Sequence, residues 1–126
     1  MINVEALIEA FRIEEPLAQS CATAQGAYLR CEQTSKAFIK FLRSKGYTPK
    51  LYGMRGTLKN PRCHPSYLKN PNIEHWLVKI GEVYVDWTIK QIDSGAPVPA
   101  TYHNLDEIKT NWKQFTSDPQ EVWEAY

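Results

Sequence analysis

Blocks of like charge are missing from this sequence. Its 15 Lys and Arg stand against 14 Asp and Glu, a formal charge of +1, and no run of five basic residues occurs. No long-range field therefore favours nucleic acid or a membrane as partner. No stretch approaches the roughly 18 apolar residues that a bilayer span requires. Met1 to Phe11 carries Glu5 and Glu9 and lacks both a basic lead and a long apolar run, so it does not read as a signal peptide. Cysteine is sparse: Cys21, Cys31 and Cys63 are irregularly spaced and make no disulfide framework. A reducing, cytoplasmic setting is the expectation. Gly53 and Gly56 lack the spacing and following helix of a phosphate-cradling loop. No internal repeat or low-complexity segment is present, and nothing calls for a cofactor.

What is present describes a folded globule. Of the 126 residues, 43% are hydrophobic, with four Trp and seven Tyr, and the length suits one domain over 1–126. A chain of this size buries roughly two-thirds of its unfolded surface, enough for one core. Asn3 caps an expected first helix with Val4, Leu7, Ile8 and Phe11 as its stripe. Leu17 to Gln25 suggests a second, ended by Gly26. Cys31 to Lys45 is the clearest helix, closed by Gly46. Cys31, Ser35, Phe38 and Leu42 share one face, which Ala37 and Phe41 widen. A strand is expected over Pro49 to Arg55, then a long loop from Gly56 to Asn72. Asn104 with Glu107 resembles a capping box opening a helix through Trp112, and Asp118-Pro119 reads as the start of a last helix toward Tyr126.

Glu74 to Thr88 reads as a hairpin around Gly81-Glu82, with a type II′ turn expected. Its opposed pairs are Ile80 with Val83, Val78 with Val85, and Trp76 with Trp87, all on one apolar face. The other face carries His75, Leu77, Lys79, Tyr84, Asp86 and Thr88. In this register His75 and Asp86 are diagonal neighbours with Cβ atoms within about 8 Å, within hydrogen-bonding reach for an imidazole and a carboxylate. A carboxylate so placed fixes the tautomer of a general base and stabilises its protonated form.

Cys31 supplies the third part. A helix N-terminus offers about half a positive charge and free N–H groups, which draw a thiol pKa below its usual value of about 8.5. Cys31, His75 and Asp86 are thus the expected nucleophile, base and orienter. One tension accompanies this reading: His75 lies on the hairpin face opposite the apolar one. It meets Cys31 either at the end of the sheet or with the helix packed on the His75 face through Leu77. Cys63 beside His64 is the rival nucleophile, but it lacks a helix N-terminus. It also lacks a second Cys or His pair at zinc-site spacing, so no metal site is expected.

Cys31 opening a helix, His75-Trp76 opening a strand and Val85-Asp86-Trp87-Thr88 on the next strand resemble the transglutaminase-like, papain-like superfamily. The resemblance covers roughly residues 25–92. It implies an α+β fold, a small antiparallel sheet packed against a helix that carries the nucleophilic cysteine. It also implies Gln25 as an oxyanion-binding residue, with Gln91 as a weaker rival. The chain departs from the common pattern at Leu29, where the family often has glycine, at Glu32, where it often has tryptophan, and at Trp87, where it often has proline. The expected function is a cysteine-dependent hydrolase or acyltransferase acting on an amide or peptide bond through a thioester. Its partner would be a protein, peptide or small amide substrate. The alternative is a non-catalytic binding or inhibitory protein with the same fold.

Overall fold

The computed structural model describes residues 2–59, 62–69 and 72–122. Four helices come first: α1 (Val4–Glu14), α2 (Pro16–Ser20), α3 (Ala24–Ala27) and α4 (Cys31–Ser44). Strand β1 (Lys50–Leu58) and the short α5 (Ser66–Lys69) follow, then β2 (Asn72–Ile80) and β3 (Val83–Asp86). A single 3-10 turn, Ile89–Gln91, leads on to β4 (Ala100–Tyr102), α6 (Leu105–Ile108) and β5 (Trp112–Glu121). The five strands form one antiparallel sheet in the order β4-β3-β2-β1-β5, so the fold is α+β.

The hairpin register is as expected: Val78 pairs with Val85 and Ile80 with Val83. Gly81 has φ +59° and Glu82 does not share the left-handed region, which suits the type II′ turn. The β2–β3 ladder ends at the Val78–Val85 rung, so Trp76 and Trp87 are not a paired rung. Trp87 is buried instead against Phe11 and Phe38, with ring centroids 5.0 and 5.6 Å away.

Both faces of the sheet are covered. On one, Val78, Ile80, Val85 and Trp87 pack against Phe11 of α1 and Phe38, Ile39 and Leu42 of α4. On the other, Met54, Leu77 and Tyr84 lie under Ile89, Ile92, Ile108 and Trp112. The helical stripes are those expected: Val4, Leu7, Ile8 and Phe11 all join the first core. The Asn3 side chain caps α1 by accepting from the Ala6 N–H at 3.1 Å.

Other expectations are corrected. The segment Leu17–Gln25 is two helices, because Thr23 starts a new one by accepting the Gly26 N–H at 3.0 Å. Gly26 therefore lies inside α3 and is no terminator. A Cβ there would come within 1.9 Å of the Ser20 carbonyl oxygen. Strand β1 extends to Leu58, and α5 interrupts the expected long loop. The helix opened by Asn104 stops at Ile108 and, after one 3-10 turn, Trp112 begins a strand. Asp118 and Pro119 do not start a helix; both lie in β5. Gly53 pairs with Gln120 and Arg55 with Ser117, which sets Asp118 and Pro119 together against Met54. A proline is tolerated at such a bulge on an edge strand, where no ladder donor is required. The expected continuation of that helix over 123–126 lies outside the described residues.

Candidate active site

Cys31, the first residue of α4, is half-buried. Its N-cap, Arg30, makes no side-chain capping bond, which leaves the first-turn amides without that competitor. Just ahead, Leu29 has φ +59°, a left-handed conformation that costs a non-glycine residue roughly 1–2 kcal/mol. This turn sets the angle at which the chain enters α4, and it occurs where the resemblance would place a glycine.

His75 is fully buried on β2, and Asp86, at the end of β3, is 2% exposed. The imidazole Nε2 lies 2.6 Å from Asp86 Oδ2. The other carboxylate oxygen accepts from the Thr88 N–H at 3.1 Å and meets the Thr88 hydroxyl at 3.5 Å, so the carboxylate is held at both ends. Burial draws the imidazole pKa down. The charge and hydrogen bond of Asp86, then the hydrogen bond and charge of Cys31, outweigh it and leave the pKa above its usual 6.5.

The structure thus brings the three residues together, and the tension over faces resolves at the end of the sheet. Helix α4 packs on the Val78–Val85 face. Strand β3 pairs with only Val78–Ile80, and the chain turns away after Asp86. The first half of β2, with His75, therefore has no partner on β3, and Cys31 at the start of α4 acts on the His75 ring there.

The carbonyl end of Gln25, the expected oxyanion binder, is occupied by His64. Gln25 Oε1 is 2.9 Å from His64 Nε2, while His64 Nδ1 accepts from the Ser66 N–H at 3.2 Å. The His64 proton therefore sits on Nε2 and is donated to Gln25. The His64 ring also stacks on Tyr28, with centroids 3.8 Å apart. His64 is committed to Gln25 and Tyr28, so the neighbouring Cys63-His64 dipeptide does not form a thiol–imidazole pair. Burial raises the Cys63 thiol pKa, and burial likewise raises that of Cys21.

The residue that sequence reasoning undervalued is Gln91. It is 1% exposed, on the 3-10 turn, with its side chain between His75, Thr88, Tyr67 and Leu29. The only sequence signal was its place three residues after Thr88. Tyr67, within the segment expected as a long loop, is buried, and burial first, then the charge of Cys31, raises its phenol pKa.

A cavity of about 300 Å³ opens between the residues before Cys31 and those before His75, lined by Tyr28, Leu29, Tyr67, Asn72, Ile73 and Glu74. Hollows of about 390 and 490 Å³ lie elsewhere, beside Trp76 and Gln120 and beside Ile2 and His103. None of the three hollows is lined by Cys31, His75 or Asp86 themselves; the smaller one is tied to them through Leu29 and Tyr67, which bond Gln91 beside His75. Among the described residues, no three His, Cys, Asp or Glu side chains converge as a metal-ligand set. None of the described helices is long and apolar enough to cross a membrane. Compared with known proteins, the chain matches no family model, no curated protein and no solved structure.

Proposed function

We propose that this protein is a cysteine-dependent hydrolase or acyltransferase of the transglutaminase-like, papain-like kind, acting on an amide or peptide bond. The observation that carries the reading is the buried His75–Asp86 pair at 2.6 Å, with Cys31 at a helix start influencing the same imidazole. A solvated polar pair would not be taken out of water in this way, because burying ionisable groups is costly unless they are partnered. Perturbed titratable groups beside a cavity are the usual marks of a catalytic centre.

In this reading Cys31 passes its proton to His75 and its sulfur attacks the carbonyl carbon of the substrate. The negative charge that develops on the carbonyl oxygen is met by the uncapped amides at the start of α4. Gln25 is the further candidate donor, since its carbonyl end is occupied by His64. Collapse of the tetrahedral intermediate breaks the C–N bond. The imidazolium gives its proton to the leaving amine and leaves a thioester on Cys31. Water or a second amine then attacks the thioester, losing a proton to His75, and the thiol is regenerated. Asp86 holds the ring and stabilises its charged form throughout. The cavity beside Tyr28 and Tyr67 would receive the substrate.

An activated ester, p-nitrophenyl acetate, tests this without knowledge of the natural substrate. We expect one acetyl group per chain, located on Cys31 by mass spectrometry and absent from Cys31→Ala. Release of that group to water marks a hydrolase; transfer to an added amine marks an acyltransferase. Acetylation that persists in Cys31→Ala, or that His75→Ala leaves unchanged, would overturn the reading.

A further inference from the structure

The side chain of Gln91 can be oriented without ambiguity. The Leu29 backbone N–H lies 3.2 Å from Gln91 Oε1, and a backbone N–H can only donate, so that atom is the carbonyl oxygen. The Tyr67 hydroxyl donates to the same oxygen at 2.9 Å. The other end is then the amide NH₂, and its partners must accept. They are Thr88 Oγ1 at 3.1 Å and His75 Nδ1 at 3.0 Å. Because Nδ1 accepts, the single proton of the neutral ring is on Nε2 and is donated to Asp86. Asp86 in turn accepts from the Thr88 N–H. Every donor in this buried chain has one acceptor, from Leu29 through Gln91 and His75 to Asp86.

This arrangement has a chemical consequence. With Nε2 committed to Asp86, Nδ1 is the only ring nitrogen left to take a proton from Cys31, and there the Gln91 amide competes with the Cys31 hydrogen bond. The titratable groups facing the ring are Asp86 from β3 and Cys31 from α4. The 3-10 turn contributes only the neutral Gln91, and β5 contributes the Trp112 ring, 6.4 Å away. Asp86 and Cys31 favour the charged imidazole; the Gln91 donor opposes it.

We propose that Gln91 is a positioning residue that restrains the candidate base: its amide caps His75 Nδ1 and ties the ring to the Leu29 turn two residues ahead of Cys31. Proton transfer from Cys31 then requires the amide to give way. The anchor on Leu29 and Tyr67, both in the wall of the cavity, places that release where a substrate would press. This inference rests on the cysteine–histidine reading of the site.

The test follows the pH profile of Cys31 alkylation by iodoacetamide and the NMR titration of the His75 ring. Gln91→Met keeps the length of the side chain and removes the donor. Tyr67→Phe removes only one anchor of the amide. In Gln91→Met, His75 should titrate at higher pH and the acid limb of Cys31 alkylation should move to lower pH. In the pH range where the wild-type ring is neutral, alkylation should quicken by up to about tenfold, the size of one neutral hydrogen bond. Tyr67→Phe should shift both in the same direction, by less. A merely structural role predicts no such acceleration, since loosening the site would slow Cys31 or expose all three cysteines alike. Unchanged or slower alkylation in Gln91→Met would overturn the inference. If that variant does not fold, an unshifted Tyr67→Phe profile would overturn it equally. His75→Ala separates the two levels: if it leaves the Cys31 profile untouched, the base assignment itself fails and takes this inference with it.

Discussion

Replacing Asp86 by Asn removes one charge from a pair that has almost no contact with water, and the cost should depend on pH in a definite direction. In the native protein the His75 pKa is raised above 6.5 despite its burial, because Asp86 and Cys31 favour the charged ring. A base whose pKa rises on folding contributes stability that is fully present below about pH 6.5. That stability is lost as pH climbs through the raised value. In Asp86→Asn the burial remains and the main favourable charge is gone. The His75 pKa should then fall below its usual value, and the variant should lose stability as pH drops. At about pH 5.5 the substitution therefore breaks a buried ion pair and should cost about 3–5 kcal/mol. At about pH 9 the cost is smaller. An Asn oxygen can still accept from His75 Nε2, but its NH₂ end then faces the Thr88 N–H, and losing that one bond costs about 1–3 kcal/mol. Urea unfolding at both pH values reads the difference as a shift in midpoint at constant slope. A cost that is independent of pH, or larger at alkaline pH, would refute the argument.

Trp87→Ala should cost about 3–5 kcal/mol in urea unfolding, since the ring is 3% exposed and packs on Phe11 and Phe38; a loss under about 1 kcal/mol would mean that the face is not core. Leu29→Gly should stabilise the fold by up to about 1 kcal/mol, visible as a raised Tm, because it relieves a φ of +59° in a side chain that is 69% exposed. A lowered Tm would show that the Leu29 side chain holds the turn. Gly56→Ala should destabilise by about 1–3 kcal/mol, because its Cβ would come within 2.2 Å of the Gln114 carbonyl and push β5 from β1. Wild-type stability in that variant would refute this strand pairing.

The parts of the fold legible in the sequence were those with one dominant periodicity. The α4 stripe gathers Phe38 and Leu42 on one face, and the β2–β3 register gathers Val78, Ile80, Val83 and Val85 on another, which a slip by one residue would scramble. From that register the nearness of His75 and Asp86 could be read before the sheet was known. Asp118-Pro119 misled because the same dipeptide suits a helix start and an edge-strand bulge, and only the pairing with β1 decides between them. Gly26 misled because its need is spatial: the Ser20 carbonyl leaves no room for a Cβ, which no local pattern shows. Gln91 was invisible as a partner of the base for a similar reason. It lies 62 residues from Leu29 and 16 from His75, and its role is created by a 3-10 turn that carries it under the sheet.

The central claim is that His75, held by Asp86, activates Cys31, and it is tested most directly by the alkylation rates of the three cysteines in the native protein. Iodoacetamide at about pH 6, with each adduct mapped by mass spectrometry, separates an activated thiol from ordinary ones. The account predicts that Cys31 reacts first, ahead of the buried Cys21 and Cys63, and that its advantage disappears in His75→Ala. Equal rates at all three cysteines, or Cys63 reacting first, would contradict it.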